Sequence, residues 1–477
     1  MVTHTACCYT RYLKPPVANK YLLISLAKIA PSPALLRPQQ PPSERGTYCI
    51  AMSSPAPSTP LKKDSDPDSD AGSVVSQSLT VEWEHEPFGT FQSRVLGLAL
   101  GKIWPDAHSD EVVVDRMRGG GYNRIIGLAR QYRDGSETQY ILRIPRLDEA
   151  RVSDDIAVLR FVQQNTKIPV PEVVLFDDTE DNAIGRQYSL QNRIGGTVPA
   201  SAFLKLSHQQ RCRFASEFGA IYRQMLSVRS RVAGKLVLMA KENGGSSGRS
   251  LETSVICVEP FGPEESKIIK PYGEPAPSEP IHEILTRVFS AQKADLQKEG
   301  DHHIHHINLL DRFLDMVSEL HAGGWFSDQH YSLVHLDLAP RNILVNRRKD
   351  ISIRLPIIYA VLDWDSAVLA PPFLACAPPA WIWNFRAWQS EDDSDSDSDE
   401  RTADNVALTA EERQLKILFE IAAGREYKRL AYKSAYRLAR RLVRIVVEGM
   451  RYAEDVYEAQ AMVEEWEGLD DKEKKNH

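Results

Sequence analysis

In the stretch LVHLDLAPRNILVN, residues 333–346, a His, an Asp and an Asn stand at positions 335, 337 and 342. Leu333-Val334 and Ile343-Leu344-Val345 on either side read as buried strand pieces, and Pro340 excludes a helix between them. Polar side chains held between buried strands either satisfy backbone groups or do chemistry. Further on, in YAVLDWDSA at 359–367, the apolar run Ala360-Val361-Leu362 stops abruptly at Asp363. The two apolar runs are expected to pair as a hairpin through NRRKDISIRLP, which would bring Asn342 and Asp363 together. Hard oxygen donors at a strand end suit Mg²⁺. Asp337, five residues before Asn342, is placed to accept a proton from a hydroxyl. A base, metal ligands and cations for the phosphates are the parts of a phosphoryl-transfer site, which needs positioning more than covalent chemistry. The order H-x-D-x-x-x-x-N, then a strand-end Asp, makes the set informative.

These residues need a scaffold. Folded character begins near Val81, and residues 111–145 alternate short β-rich runs around a glycine cluster. SDDIAVLRFVQQN, 153–165, has helical apolar spacing, with Ser153 as its expected cap. PVPEVVLFD and RQYSLQNRI read as two further strands. From about residue 201 helical patterns dominate, over 207–228, 280–297, 305–322, 409–423 and 427–467. KENGGSSGRS, 241–250, reads as a flexible surface loop. The pattern predicts an α+β chain with a β-rich lobe over 81–195 and an α-rich lobe over 196–470.

HLDLAPRNILV and VLDWDSA resemble the two signature stretches of the aminoglycoside phosphotransferase-like family, which includes many fungal proteins of unknown substrate. The resemblance spans roughly 110–385 and takes in GGGYNRIIGL, YILRIPR, IAVLRFV, IPVPEV, IGRQYSL and PPAWIW in family order. It implies a two-lobed protein-kinase-like fold and ATP-dependent transfer of phosphate to a hydroxyl of a small molecule. Asp337 then resembles the catalytic Asp, Asn342 and Asp363 the Mg²⁺ ligands, and His335 a loop-supporting His. Gly119, Gly120 and Gly121 alone read as a turn; ahead of YILRIPR they resemble the phosphate-covering loop. Arg143 stands where the phosphate-binding Lys is usual, and Asp155 where a helix Glu would pair with it. A snorkelling surface Arg is the other reading of Arg143. Asn192, Arg193 and Ile194 resemble the hinge that meets adenine through backbone atoms. Two rival readings are a divergent protein kinase and a nucleotide-binding pseudokinase acting as an interaction protein. Leu336 in place of the H-R-D Arg, DWDSA in place of D-F-G and the lack of A-P-E weigh against the first. The intact trio Asp337, Asn342 and Asp363 weighs against the second.

The 477 residues, 42% apolar, suffice for one large two-lobed domain or two ordinary ones. A formal charge of −7 leaves no footprint for nucleic acid. No run reaches the ~18 apolar residues of a membrane helix. Cysteines at 7, 8, 49, 212, 257 and 376 lack metal or disulfide spacing, so a reduced, cytoplasmic compartment is expected. Residues 1–80 are rich in Pro, Ser and Ala and read as a disordered tail. The first 51 carry six Lys/Arg and one acid, Glu44, so a mitochondrial transit segment is an alternative, and Met52 an alternative start. QSEDDSDSDSDER, 389–401, reads as a solvated loop, with a phosphorylation switch as the alternative. His302, His303, His305 and His306 read as a surface cluster rather than a metal site. Trp381, Trp383 and Trp388 read as packing, or as lining of an acceptor pocket. Glu464, Glu465 and Glu467 read as a solvated helix face, or as partners of a cationic acceptor.

Overall fold

The computed structural model describes residues 88–117, 122–146, 151–240, 254–261, 278–299, 303–327, 330–346, 355–385, 408–448, 450 and 453–475. The expected tail, Gly119 to Gly121, His302, Trp388 and the acidic tract 389–401 lie outside them.

A five-stranded antiparallel sheet forms first, from β1 (Val112–Arg116), β2 (Asn123–Gln131), β3 (Glu137–Pro145), β4 (Val173–Asp177) and β5 (Tyr188–Asn192), in the order β1-β2-β3-β5-β4. The β2–β3 hairpin runs from Asn123↔Pro145 to Gln131↔Glu137. Its turn is closed by Asp134, whose carboxylate accepts from the Ser136 amide and hydroxyl. Helix α1 (Phe88–Leu98) covers one face, burying Phe91, Val95 and Leu98 with Ile126, Leu128, Leu142, Ile144 and Leu190. Arg130 bonds Asp106 with both terminal nitrogens at 2.9 Å and also reaches Glu111, tying the segment after α1 to β2. Helix α2 (Val152–Asn165) packs into the larger core through Val152, Ile156, Ala157, Leu159 and Val162. Ser153, expected as its cap, lies inside the first turn and is buried; the N-cap position is Arg151, without a side-chain cap. The chain enters α2 one residue earlier because Val152 is drawn into the core.

The remainder is mainly helical: α3 (His208–Ser227), α4 (Ile281–Glu299), α5 (Ile304–Ala322), α6 (Ala410–Tyr432), α7 (Ser434–Glu448) and α8 (Ala453–Glu467). Capping boxes start α3, from Ser207 and Gln210, and α6, from Thr409 and Glu412. The break expected after 423 is present: Gly424 takes φ 94° and ψ −179°, outside the helical region, and parts α6 into two helical arms. The single helix expected over 427–467 is instead divided between the end of α6, α7 and α8. Buried Arg440 of α7 donates to Leu430 O and Ala431 O, both at 2.9 Å, completing the carbonyl ends of α6. α3 and α6 lie close together because Gly219 has no side chain: a Cβ there would stand 2.9 Å from Ala422 Cβ.

The sequence reading had no strands in this half apart from those of the motif. In the structure β6 (Gly234–Ala240), β7 (Ser254–Pro260), β8 (Ser332–Val334) and β11 (Val368–Ala370) form a sheet in the order β7-β6-β11-β8. Short apolar runs such as KLVLM do not reveal their period, so helix and strand look alike. β9 (Ile343–Val345) and β10 (Ile358–Val361) pair antiparallel, as the motif predicts. At the return of that hairpin the Glu217 carboxylate of α3 accepts from the Ile357 and Ile358 amides, at 2.8 and 2.9 Å. Burial pushes this carboxyl up, and the two amides pull the other way.

Gly219→Ala should overpack the α3–α6 contact, costing about 1–3 kcal/mol. It would be read as a lower urea midpoint at unchanged slope. Gly97→Ala in α1, where a Cβ meets nothing within 4 Å, is the control and should be neutral or stabilising. A second expectation concerns His282 and His321, stacked 3.6 Å apart across α4 and α5. Burial and the neighbouring His321 lower the His282 pKa from its ordinary 6.5, against a smaller opposing pull from Glu283. The fold therefore favours the neutral ring, so stability is full above pH 6.5 and falls as pH drops below it. Melting curves across that range should show the loss, and His282→Phe should flatten it.

Candidate active site

β8 delivers the chain into the motif loop at His335, which is 1% exposed. The Asp337 amide donates to its Nδ1 at 3.3 Å, so Nε2 carries the proton given to Leu362 O at 3.0 Å. The ring also packs on Trp364, with centroids 4.5 Å apart. His335 thus supports the loop rather than facing a ligand, as the resemblance implies. Between His335 and Asp337, Leu336 takes φ 63°, and Asp363 has the same value. Among the described residues these two alone are non-glycine residues with positive φ. Asp tolerates that region better than Leu does, and strain of this kind collects at functional loops.

Asn342 ends the tight turn Pro340–Asn342 and is buried. Its Nδ2 donates to Asp337 O at 2.8 Å and to Asp337 Oδ2 at 3.0 Å. Arg341 Nη2 donates to the other oxygen, Oδ1, at 2.6 Å. The Leu362 amide donates to Asn342 O at 2.7 Å, and Val361 pairs with Ile343. The hairpin therefore brings the Asn342 and Asp363 backbones together, as their spacing predicts. With its amide nitrogen engaged by Asp337, Asn342 has Oδ1 left for a cation. The Asp363 carboxylate, 26% exposed, is a second hard oxygen donor, and such a pair suits Mg²⁺.

Arg143 lies on β3 opposite Ile125 and Ser189. Its Nη2 is 2.6 Å from Asp365 Oδ2 and 3.8 Å from Asp363 Oδ1, and the side chain is 13% exposed. It is therefore turned toward the strand-end acids and is not a snorkelling surface residue. Asn123, at the start of β2, donates to the same Asp365 oxygen at 3.0 Å. The sequence reading missed both Asp365 and Asn123; the second acid of D-W-D was the available signal. Asp155 sits in the first turn of α2, where a carboxylate favours the helix start. In the hinge stretch, the Asn192 amide donates to Glu172 O and the Arg193 amide to Gln139 O. Those two amides belong to the sheet, so Ile194 is the first residue past it.

Other sequence candidates have structural partners. Trp381 and Trp383 are 2% and 1% exposed and pack on Phe214 and Phe419 respectively, so neither lines an open pocket. Glu465 is paired with Arg437 and Arg441, Glu467 with Arg312, and Glu464 accepts from Gln460. Glu465 and Glu467 hold α8 to α7 and α5 respectively, and the Glu464 bond lies within α8. His303 and His306 stand near the start of α5 with rings 6.1 Å apart. Among the described residues no group of three His, Cys, Asp or Glu side chains is arranged for a metal, and no helix is long and apolar enough to cross a membrane.

The model of the phosphotransferase enzyme family matches residues 127–393, which include Arg143, His335, Asp337, Asn342, Asp363 and Asp365 but not Asn123. The subtelomeric hrmA-associated cluster protein of Aspergillus fumigatus, found in two strains, is 22% identical over 364 residues, 66% of this chain and 68% of the relative. Among solved structures, a thermostable mutant of aminoglycoside phosphotransferase APH(4)-Ia in ternary complex with AMP-PNP and hygromycin B is similar at 16% identity. It covers 79% of this chain and 100% of that one, with a TM-score of 0.42. The GDP complex of wild-type aminoglycoside 2'-phosphotransferase-IIIa is similar at 12% identity, covering 79% and 99%, with a TM-score of 0.41. With the family match spanning more than half of its length, the chain belongs to the phosphotransferase enzyme family.

Proposed function

We propose that the protein transfers the γ-phosphate of ATP to a hydroxyl of a small molecule, with Mg²⁺ as its metal. The observation that supports this most is the convergence of Asp337, Asn342, Asp363 and Arg143 on one pair of strand ends. Asp337 is the base: its carboxylate, oriented by Asn342, takes the hydroxyl proton as the oxygen attacks phosphorus. Asn342 Oδ1 and the Asp363 carboxylate hold the metal. When bound, Mg²⁺ supplies positive charge to the phosphate oxygens. Arg143 holds phosphate by its planar fork, in the place of the usual Lys. Asp155 supports that cation from α2, Ile194 and its neighbours Asn192 and Arg193 meet the base of the nucleotide, and Gly119 to Gly121 cover its phosphates. Asp365 accepts from both Arg143 and Asn123 and so holds β3 and β2 against the strand end that carries Asp363.

Asp337→Asn should keep MgATP affinity and lose turnover by about 10²–10⁴-fold, the ordinary worth of general-base help. Intrinsic ATP hydrolysis can stand in for acceptor phosphorylation; an unchanged rate would refute the role. Asp363→Ala should abolish the thermal stabilisation given by Mg²⁺ with an ATP analogue. That stabilisation is about 2.7 kcal/mol at 100 times Kd in the wild type. A wild type that shows no shift with any nucleotide and metal would refute the reading as a whole. A pseudokinase would show the shift but no turnover that depends on Asp337.

A further inference from the structure

The phosphotransferase reading leaves the acceptor open, and one side chain on the motif loop bears on it. Arg341 is the middle residue of the turn Pro340–Asn342, between two buried residues, so the backbone beneath it is fixed. The side chain is 71% exposed, yet Nη2 stands 2.6 Å from Asp337 Oδ1. A guanidinium offers five N–H donors in a rigid plane, and this bond takes one. The rest of the fork faces solvent beside the oxygen that would receive the acceptor's proton. Of the C-terminal carboxylates that could have met a cationic acceptor, Glu465 and Glu467 are engaged by Arg437, Arg441 and Arg312.

Building on that reading, we propose that Arg341 binds the acceptor, and that the acceptor carries an anionic group, a carboxylate or a phosphate, close to the hydroxyl that is phosphorylated. A planar fork matches such an anion with two parallel hydrogen bonds. When the anion takes the fork, Arg341 relinquishes Asp337 Oδ1, while Asn342 Nδ2 keeps Oδ2 in place. The freed oxygen accepts the proton as the acceptor O–H bond breaks. The acceptor oxygen's electron pair forms the new bond to the γ-phosphorus, and ADP leaves with the electrons of the bond that is cut. An uncharged or cationic acceptor leaves Arg341 on Asp337 Oδ1, so an anionic one meets the freer base.

Two matched sets of probes test this on the full chain saturated with MgADP: glucuronate, glucose and glucosamine, and glycerate, glycerol and 2-amino-1,3-propanediol. Calorimetry gives the binding constants, and ADP release from MgATP gives turnover. The anionic member of at least one set should bind about tenfold or more tighter than the neutral one, with the cationic member weakest. Arg341→Gln should remove that advantage, bringing the anionic member level with the neutral one; Arg341→Lys should keep part of it. Equal binding within both sets, no binding in either, or a preference for the cation overturns the assignment. So does a uniform loss across a set in Arg341→Gln, which would make Arg341 a positioning residue for Asp337. MgADP binding by the wild type is measured first, and its failure would remove the phosphotransferase reading itself.

Discussion

The hydrogen bonds of one buried imidazole hold the centre of the site together. His335 accepts from the backbone of Asp337 and donates to the backbone of Leu362, so the loop and the strand end are fixed to a single rigid ring. The Leu362 amide then returns to Asn342 O, closing the circuit. Nothing in this circuit uses a carboxylate. The backbones at Asp337 and Asp363 are therefore fixed by neutral groups, while the carboxylates meet Arg341 and Arg143. Without the ring, the loop would have to find other partners for two partly buried backbone groups. The left-handed turns at Leu336 and Asp363 are affordable only because so many bonds specify them at once.

Electrostatics organises the opposite wall. Arg143 and Asn123 come from adjacent ends of β3 and β2, and both converge on one oxygen of Asp365. That carboxylate lies in the turn directly after Asp363, so the sheet is tethered to the segment that carries the strand-end acid. Arg143 thus stands 2.6 Å from one acid of D-W-D and 3.8 Å from the other. Replacing Asp365 by a neutral residue would loosen the tether and also alter the field at Asp363, so the two effects travel together.

Much of the site was legible in the sequence because it is local. His335, Asp337 and Asn342 are fixed by a short spacing, and the apolar runs on either side are strands as expected, β8 and β9, which belong to different sheets. Helices α3, α4 and α5 fall within a residue or two of their expected limits because their apolar stripes are long. What was not legible depends on contacts between distant parts of the chain. Asp365 acquires its meaning from residues 222 and 242 positions away. Strands β6, β7 and β11 are too short to show a period, and α1 was not assigned. The acids of α8 looked like a solvated face, as Glu464 is, yet Glu467 and Glu465 are held by arginines on α5 and α7 that only the packing reveals.

The Glu217 clasp on the β9–β10 hairpin bears on how this chain can change over generations. Two consecutive amides at the return of the hairpin are held by a side chain 140 positions upstream, and the Pro169 carbonyl holds the amide of Val361. The register of β10 is thus set from outside the connection that precedes it. Insertions or deletions between Asn346 and Ile357 need not propagate into the position of Asp363. The connection is insulated from the chemistry, and natural variation in its length and charge can accumulate there as neutral drift.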